Sequence, residues 1–285
     1  MCVTCGCGQA SASPAAASDA DSHSHEQTAG HAHDNACDHA HPHIHRHADG
    51  EGADAKLHTL PARDARSIEL EIAVLSKNQA FAQRNRDWFL GRGVFAINLM
   101  GGPGAGKTSL LERSIQDLHE DVPISVVEGD QATARDAERI RAAGASAIQI
   151  NTGVGCHLDA QMLAGALEQL QTPAGSVLII ENVGNLVCPA LFDLGETARV
   201  VIFSVTEGED KPMKYPHMFR AADVVVLSKI DLLPHLRVDL TQMIDNALRI
   251  NPKLLVFALS AESAQGLESW YGWLRRHGEV AQSAA

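Results

Sequence analysis

Short apolar runs alternate with longer amphipathic segments from about residue 94 to the end of the chain. The runs are rich in Val, Ile and Leu and predict strands at residues 94–100, 124–128, 147–151, 177–182, 200–205, 224–228 and 254–259. The segments between and after them have helical spacing, at residues 108–118, 132–142, 157–170, 236–250 and 267–276. Because strands that alternate with helices usually pair in parallel, the pattern predicts an α/β fold with a mainly parallel sheet flanked by helices.

The first part of the chain does not follow this pattern. Residues 1–58 are rich in Ala, Ser, Asp and His and contain almost no aliphatic side chains. Such a segment cannot bury enough apolar surface to offset its conformational entropy, so it is predicted to be a disordered metal-binding tail. Residues 59–92 are predicted to form a helical segment that packs on the domain formed by residues 93–285. Its apolar positions at helical spacing are Ile68, Ile72, Leu75, Ala82 and Phe89.

The composition argues against several classes of protein. A formal net charge of -12 disfavours nonspecific nucleic-acid binding, which needs a surface rich in Lys and Arg. The sequence contains no run of about 18 apolar residues, so no membrane span is predicted. Its start lacks the basic and apolar regions of a secretory signal. We therefore expect a cytoplasmic protein. In that reducing compartment, its six cysteines are expected to be thiols or metal ligands.

Residues 101–108 read GGPGAGKT and match the phosphate-binding motif G-x-x-x-x-G-K-[ST]. The motif follows a predicted strand and opens a predicted helix, so its backbone N–H groups are expected to surround phosphates. We expect Lys107 to reach the outer phosphates and the Thr108 hydroxyl to bind Mg²⁺. The nucleotide-binding residues predicted in this segment are Gly102, Gly104, Ala105, Gly106, Lys107, Thr108 and Ser109.

A second nucleotide-binding segment, SKID at residues 228–231, ends the sixth predicted strand. The Asp231 carboxylate can accept hydrogen bonds from N1–H and the 2-amino group of guanine, while the Lys229 stem packs on the base. Adenine offers neither donor there, and an unpaired carboxylate would disfavour it. Ser260 and Ala261 are candidates to donate backbone N–H to the guanine carbonyl oxygen. Ser228 stands where Asn is usual in this motif. The segment therefore predicts a preference for guanine and not an exclusive requirement for it.

Two other strand ends carry acidic residues. Asp130 follows the second predicted strand, and Glu181 lies at the end of the fourth. Both are candidates to hold Mg²⁺, directly or through water, and either can instead orient the attacking water. The sequence leaves these two roles open, and with Lys107 these residues form the predicted catalytic set. No arginine finger or Gln is placed by the sequence, so hydrolysis is expected to be slow.

Three cysteines near the start form a first predicted metal site, at Cys2, Cys5 and Cys7. Soft thiolates favour nickel, zinc or copper(I), and a closed four-thiolate site would need a further ligand. A terminal amine or a backbone amide would instead complete square-planar nickel, so the spacing leaves nickel and zinc open. Imidazoles at every second position are expected to add weak metal sites, at His39, His41, His43, His45 and His47.

A second predicted metal site joins Cys156 and His157, at the start of a predicted helix, to Cys188. Cys188 lies four residues beyond Gly184, in the predicted second switch region of the nucleotide site. If GTP and GDP hold this region differently, metal affinity can differ between the two states. A tenfold difference requires only about 1.4 kcal/mol. Two buried structural cysteines would be the simpler interpretation of the same residues.

These segments resemble the hydrogenase nickel-incorporation GTPases of the HypB family, which are P-loop GTPases of the SIMIBI class. The resemblance rests on CxxCGC, a His-rich insert, GGPGAGKT, EGDQAT, NTGxGCHLD, ENVGNLVCP and SKIDLLP, and it covers nearly the whole chain. It implies a GTP-hydrolysing nickel metallochaperone for [NiFe]-hydrogenase maturation. It also implies two sites, with high-affinity nickel at Cys2, Cys5 and Cys7 and weaker nickel or zinc at Cys156, His157 and Cys188.

The same resemblance implies partners that the spacing of residues does not reveal. These are a second copy of the chain, paired through the nucleotide face on GTP or metal binding, and a zinc- and nickel-binding protein of the HypA type. The large subunit of [NiFe]-hydrogenase is the implied recipient of nickel.

Three other functions stay open at this point. A urease-type nickel chaperone has the same type of GTPase domain, although the terminal CxxCGC speaks against it. An ATP-dependent small-molecule kinase is opposed by Lys229 and Asp231 and leaves the thiols without a role. A nickel or zinc storage protein, whose GTPase domain serves only assembly, would bind metal equally well with GTP and with GDP.

Overall fold

The computed structural model describes residues 65–130 and 135–284. Within these ranges seven strands form one sheet in which every neighbouring pair is parallel. They are β1 (Phe95–Gly101), β2 (Ile124–Asp130), β3 (Ser146–Asn151), β4 (Val177–Glu181), β5 (Ala198–Ser204), β6 (Val224–Ser228) and β7 (Leu255–Ala258). Their order across the sheet is β3-β2-β4-β1-β5-β6-β7. The predicted α/β fold with a parallel sheet is confirmed.

Helices connect the strands and cover both faces of the sheet. Those in the described ranges are α1 (Ala65–Gly91), α2 (Lys107–Leu118), α3 (Arg135–Ala142), α4 (Ala160–Gln169), α5 (Lys211–Lys214), α6 (Pro216–Ala221), α7 (Leu240–Ile250) and α8 (Leu267–Ala284). The short helices α5 and α6 were not predicted from the sequence, because each is too brief to show a period. No helix in this part of the chain is both long and apolar enough to cross a lipid bilayer.

Helix α4 begins three residues later than the sequence pattern predicts. The Asp159 carboxylate accepts a hydrogen bond from the Met162 N–H, which caps the helix at Asp159. Cys156 and His157 therefore lie in the loop between β3 and α4, and the prediction that they open a helix was wrong.

The two faces of the sheet are buried by different helices. Along β1, Ile97 and Leu99 point to the face covered by α2 and α8, where one large apolar cluster forms. Ala96 and Met100 point to the opposite face and belong to two separate clusters, one with α1 and α4 and the other with α6 and α7. Because side chains alternate along a strand, Asn98 lies on that second face between the two clusters, fully buried.

Helix α1 is held on the domain by its second half. Ala82 and Phe89 are buried, and the Asn85 side chain donates hydrogen bonds to the carbonyl oxygens of Ala160 and Leu194. In the first half the predicted apolar face is not buried by the described residues, since Ile72 is 59% and Leu75 37% exposed. A helix of 27 residues is about 40 Å long and extends past the strands that it packs beside.

We predict that Gly195→Ala destabilises the domain. Gly195 has a φ of +89°, and an added Cβ would lie 2.4 Å from the Ala82 carbonyl oxygen and 2.8 Å from the Arg86 nitrogen of α1. Such strain typically costs about 1–3 kcal/mol of unfolding free energy, which urea denaturation would measure. The matched control is Gly165→Ala in α4, where nothing lies within 4 Å of the added methyl. That change should leave stability unaltered or raise it by up to about 1 kcal/mol. Equal effects of the two changes would contradict this account of Gly195.

Candidate functional site

The predicted phosphate-binding loop lies at the carboxyl edge of the sheet, between β1 and α2. Gly104 and Gly106 have φ angles of +71° and +98°, which a residue with a Cβ adopts rarely, so the loop needs glycine at both turns. The Lys107 ammonium crosses the loop and donates to the carbonyl oxygens of Gly101 and Gly102 at 3.5 and 3.4 Å. A cavity of about 560 Å³ opens above this loop. Because the loop leads into the N-terminus of α2, where backbone N–H groups attract anions, the cavity is a candidate site for a polyphosphate.

The acidic strand ends face this cavity beside the loop. The Thr108 hydroxyl donates to Glu181 Oε1 at 2.8 Å, which joins the start of α2 to the end of β4. Asp130, at the end of β2, also lines the cavity. The predicted residues Lys107, Thr108, Asp130 and Glu181 are therefore brought together around one space. Residues 131–134, which follow Asp130, lie outside the described ranges.

Glu128 was not predicted as a site residue, yet it lies beside Glu181 in the register of β2 and β4. The two side chains are buried, and within the described ranges neither Glu128 Oε2 nor Glu181 Oε2 has a hydrogen-bond partner. Burial raises the pKa of Glu128 to about 8, and the nearby Glu181 and Asp130 carboxylates contribute to the rise. Burial also raises the pKa of Glu181 to about 7, although Lys107 and the Thr108 hydrogen bond act in the opposite direction.

These carboxylates fit a hard divalent cation. Two buried carboxylate oxygens that lack partners, next to a threonine hydroxyl, form the oxygen-rich donor set that Mg²⁺ prefers. A bound cation would remove the repulsion between the two carboxylates. The signal for Glu128 in the sequence was the alternation of β2, which puts it on the same face as Asp130.

A second cavity, of about 460 Å³, adjoins the first and has residues suited to a base. Lys229, Asp231, Ser260 and Ala261 all line it, as the sequence predicted for guanine recognition. Lys229 has a φ of +60°, and its ammonium donates to the Gly104 carbonyl oxygen at 2.7 Å. A hydrogen bond thus joins the segment at residues 228–231 to the phosphate-binding loop. The two cavities share residues Gly106, Ser109, Arg139 and Lys229, so one nucleotide can occupy both.

Ser228 has a role that the motif comparison did not suggest. Its hydroxyl donates to the Ala105 carbonyl oxygen at 2.6 Å, and its side chain is buried. This is a second hydrogen bond between the base-side segment and the phosphate-binding loop. Ala105 itself is buried and contributes backbone to the loop. A serine at this position therefore joins the loop to the cavity that Ser228 also lines.

Two residues of α3 also line the phosphate-side cavity and were missed in the sequence. Asp136 and Arg139 lie on the helix that follows the undescribed residues 131–134. The Arg139 guanidinium donates to both carboxylate oxygens of Glu112 at 2.9 and 2.5 Å, and to Asp136 at 3.0 Å. Glu112 lies on α2, so this ion pair holds α3 against the helix that starts at the phosphate-binding loop. Their spacing carries no nucleotide motif, which is why the sequence did not reveal them.

The predicted second metal site comes together in the structure. The ligand atoms of Cys156, His157 and Cys188 all lie within 4.8 Å of one another. The Cys156 Sγ lies 3.0 Å from the Cys188 Sγ and 3.7 Å from the His157 Nδ1. Both cysteines are buried. Two thiols and one imidazole suit nickel or zinc and leave a coordination position for another ligand.

Aromatic stacking holds the imidazole in this cluster. The His157 ring stacks on the Phe192 ring with their centroids 3.8 Å apart. Burial lowers the pKa of His157, although the Asp159 charge opposes that effect. A lower pKa favours the neutral imidazole, which is the form that binds a metal ion.

The segment that carries Cys188 runs along the phosphate-binding loop. Asn185 forms an isolated β-bridge with Gly101, and a Cβ on Gly184 would lie 3.2 Å from atoms of Pro103. The Asn185 Oδ1 accepts hydrogen bonds from the backbone N–H groups of Val187 and Cys188 at 2.8 and 3.4 Å. The metal-ligand cluster and the nucleotide cavity are therefore connected by one short piece of chain.

The predicted tail ligands lie outside the described residues. These are Cys2, Cys5, Cys7, His39, His41, His43, His45 and His47. Their assignment as metal ligands stays a prediction.

Comparison with known proteins identifies the family of this domain. A family model described as the CobW/HypB/UreG nucleotide-binding domain matches residues 95–258, which is more than half of the chain. The hydrogenase maturation factor HypB of Rhizobium leguminosarum bv. viciae is 56% identical over 220 residues, covering 77% of this chain and 74% of the relative.

Two solved structures have the same architecture. The hydrogenase maturation factor HypB of Archaeoglobus fulgidus is 40% identical with a TM-score of 0.67, covering 72% of this chain and 100% of that one. HypB of Helicobacter pylori, solved in complex with nickel, is 39% identical with a TM-score of 0.67, covering 71% of this chain and 95% of that one. With its parallel sheet, phosphate-binding loop and adjoining cavities, the chain belongs to the HypB family of CobW/HypB/UreG nucleotide-binding P-loop proteins.

Proposed function

We propose that this protein is a GTP-hydrolysing metallochaperone that binds nickel and delivers it for the maturation of [NiFe]-hydrogenase. The observation that carries the proposal is the cluster of Cys156, His157 and Cys188, in which Cys188 lies on a segment continuous with the acidic edge of the nucleotide cavity. A storage protein needs metal ligands but gains nothing from placing them beside a nucleotide. The names of the related proteins, which are hydrogenase maturation factors, support the same function.

The nucleotide site hydrolyses GTP in this proposal. Lys107 would bind the outer phosphates, the loop N–H groups would surround them, and Thr108, Asp130 and Glu181 would hold Mg²⁺ with the Glu128 carboxylate beside it. When bound, Mg²⁺ neutralises charge that develops on the phosphate oxygens. Asp130 or Glu181 orients the attacking water. Hydrolysis is slow in this proposal, because the guanidinium of Arg139, which lines the cavity, is already paired with the Glu112 and Asp136 carboxylates.

Guanine is selected by the second cavity. Asp231 accepts hydrogen bonds from the two N–H donors on the edge of guanine, and Lys229 packs its stem on the base. Backbone N–H groups of Ser260 and Ala261 bind the guanine carbonyl oxygen. ATP is disfavoured because adenine would leave the Asp231 carboxylate without donors. A small-molecule kinase that uses ATP is therefore the weaker proposal.

Nickel is the cargo, and the protein binds it at two separate sites. Cys2, Cys5 and Cys7 capture nickel at the start of the chain, with the histidine-rich tail adding weak sites. The cluster of Cys156, His157 and Cys188 then holds nickel or zinc under the control of the nucleotide. A coordination position that the protein leaves open allows another donor to enter and take the metal.

The partners proposed for delivery follow from the family. They are a second copy of this chain, formed on GTP or metal binding, a HypA-type zinc and nickel protein, and the large subunit of [NiFe]-hydrogenase. A urease-type nickel chaperone differs in recipient and not in chemistry. The terminal CxxCGC favours the hydrogenase pathway.

We predict that Asp231→Asn weakens GTP binding by about 100-fold, since a charged acceptor for two donors is lost. Xanthosine triphosphate should bind the variant better than the parent, because its 2-carbonyl accepts a hydrogen bond from the new amide. Titration with fluorescent nucleotides measures both affinities. As a control, Asp245→Asn on α7 lies outside both cavities and should change neither. Unchanged GTP affinity in the Asp231 variant would contradict the proposed base recognition.

Magnesium-dependent GTP binding is expected to strengthen from about pH 6 to about pH 9. Mg²⁺ binds the ionised carboxylates, whereas burial raises the pKa values of Glu181 and Glu128 to about 7 and about 8. Protons must leave on binding, so affinity rises with pH through both values and then levels off. In the Glu128→Gln variant, only the rise in GTP affinity around pH 7 should remain. The titration of GTP itself is common to both proteins, so the difference between their pH profiles isolates Glu128, and identical profiles would disprove its involvement.

Nickel affinity is predicted to differ by about tenfold or more between GTP-bound and GDP-bound protein. The full chain is used, with Cys2, Cys5, Cys7 and Cys37 changed to Ser, so that its two remaining thiols belong to the cluster. Thiolate-to-nickel absorption then reports on that site alone, and light scattering follows the oligomeric state.

In this background, Cys188→Ala should weaken nickel binding by at least about 10–100-fold, the loss typical of disturbing a ligand's support. His157→Ala should also weaken it, whereas the exposed His119→Ala should not. Equal nickel affinity with a non-hydrolysable GTP analogue, GDP and no nucleotide would favour the storage protein instead.

A further inference from the structure

Leu158 directly follows the cluster residues Cys156 and His157 and lies between the two acidic strand ends. It is fully buried. Its side chain fills the space next to Gly129, where an added Cβ would lie 2.7 Å from the Leu158 Cγ. Gly129 separates Glu128 from Asp130 at the end of β2. The residue after the metal ligands therefore packs against the first acidic segment of the nucleotide cavity.

The backbone of Leu158 is held by the second acidic segment. The Leu158 N–H donates to the Asn182 Oδ1 at 3.1 Å. Asn182 directly follows Glu181, lines the phosphate-side cavity and is only 1% exposed. The same Oδ1 accepts from the Val183 N–H at 3.0 Å. A reversed amide would put an NH₂ group against two N–H donors, so this orientation is fixed by its partners.

The other end of the Asn182 side chain is anchored to the centre of the sheet. Its Nδ2 donates to the Asn98 Oδ1 on β1 at 3.1 Å. The Asn98 Nδ2 donates to Glu196, whose carboxylate also accepts from Arg199 and from the Leu194 N–H. Strand β1 leads directly into the phosphate-binding loop. Asn182 thus connects the strand before that loop, the end of β4 and the start of the Leu158 segment.

We infer that Asn182 is the positioning residue through which the bound nucleotide sets the geometry of the Cys156–His157–Cys188 cluster. A shift of the backbone after Glu181 must carry the Leu158 N–H with it, or else leave that buried N–H without its partner. Because Leu158 is adjacent to His157, the movement reaches two of the three ligands within two residues. This inference rests on the proposed function and names the contact that performs its regulation.

A purely structural role for Asn182 makes a different prediction. A buried asparagine that only stabilises the fold would, when removed, lower stability and change nickel affinity equally with either nucleotide. A coupling residue would change the ratio of the two affinities. The ratio is therefore the measurement that separates the two roles, and stability is not.

The test measures nickel affinity in the full chain that carries Ser at positions 2, 5, 7 and 37, saturated with a non-hydrolysable GTP analogue or with GDP. The probe is nickel alone, followed by thiolate-to-nickel absorption. The parent should show a ratio of about tenfold or more between the two states. Asn182→Ala should bring the ratio to within about twofold of unity.

The matched control is Asn85→Ala. Asn85 is also a buried asparagine, 2% exposed, and its amide makes two hydrogen bonds, to the carbonyl oxygens of Ala160 and Leu194. It supports the start of α4 but lines neither cavity. Asn85→Ala should keep the ratio of the parent. If Asn182→Ala keeps the parent's ratio of nickel affinities with GTP analogue and GDP, the inference is overturned. It is also overturned if both variants lose that ratio. If the parent binds nickel equally well with GTP analogue and with GDP, the nucleotide control in the proposed function is overturned as well.

A second measurement needs no variant. Hydrogen exchange of the unsubstituted protein, with nickel absent, reports directly on the Leu158 amide. If Asn182 transmits the nucleotide state, protection of this amide should differ by about tenfold between GTP-analogue and GDP complexes. The amide of Met162, within the first turn of α4, serves as the internal reference. Equal protection of Leu158 in both complexes would overturn the inference even if Asn182→Ala failed to fold.

Discussion

The close placement of Glu128 and Glu181 on neighbouring strands governs the chemistry at this edge of the sheet. Each carboxylate is buried, which raises the cost of ionising it, and the Glu181 charge adds to that cost for Glu128. A cation relieves that cost, and Thr108 links the pair to the first turn of α2. The phosphate-binding loop, the acidic strand ends and the nucleotide therefore depend on one another electrostatically. In the coupling proposed here, a change of charge in this cavity also alters the segments that carry Leu158 and Cys188.

Much of the fold is predictable from the sequence because its signals are local. Continuous apolar runs predict the buried parallel strands, and all seven agree with the structure to within a few residues. The glycine spacing of the phosphate-binding loop and the SKID segment also carry their chemistry within a few positions. Cys156, His157 and Cys188 are close in space because the third and fourth strands end at the same edge, which the alternating pattern already implies.

Other features arise from contacts between distant segments. Asn182, Asn98 and Leu158 are separated in sequence by up to 84 residues, and no local pattern indicates their hydrogen bonds. Helix α4 has apolar spacing that continues before Asp159, but the capping hydrogen bond determines where the helix begins. The buried position of Glu128 depends on the register of β2 with β4, which a single sequence does not specify. The role of Ser228 is likewise visible only once Ala105 lies beside it.

The ligands of the metal cluster come from two separate segments, with Cys156 and Cys188 separated by 32 positions in the chain. In the unfolded chain these thiols are not held together, so a metal ion bound to the cluster favours the native state. At a free metal concentration 100 times the dissociation constant, this linkage amounts to about 2.7 kcal/mol. A carrier built in this way is therefore most resistant to unfolding while loaded and gives up part of its own stability each time it releases its cargo.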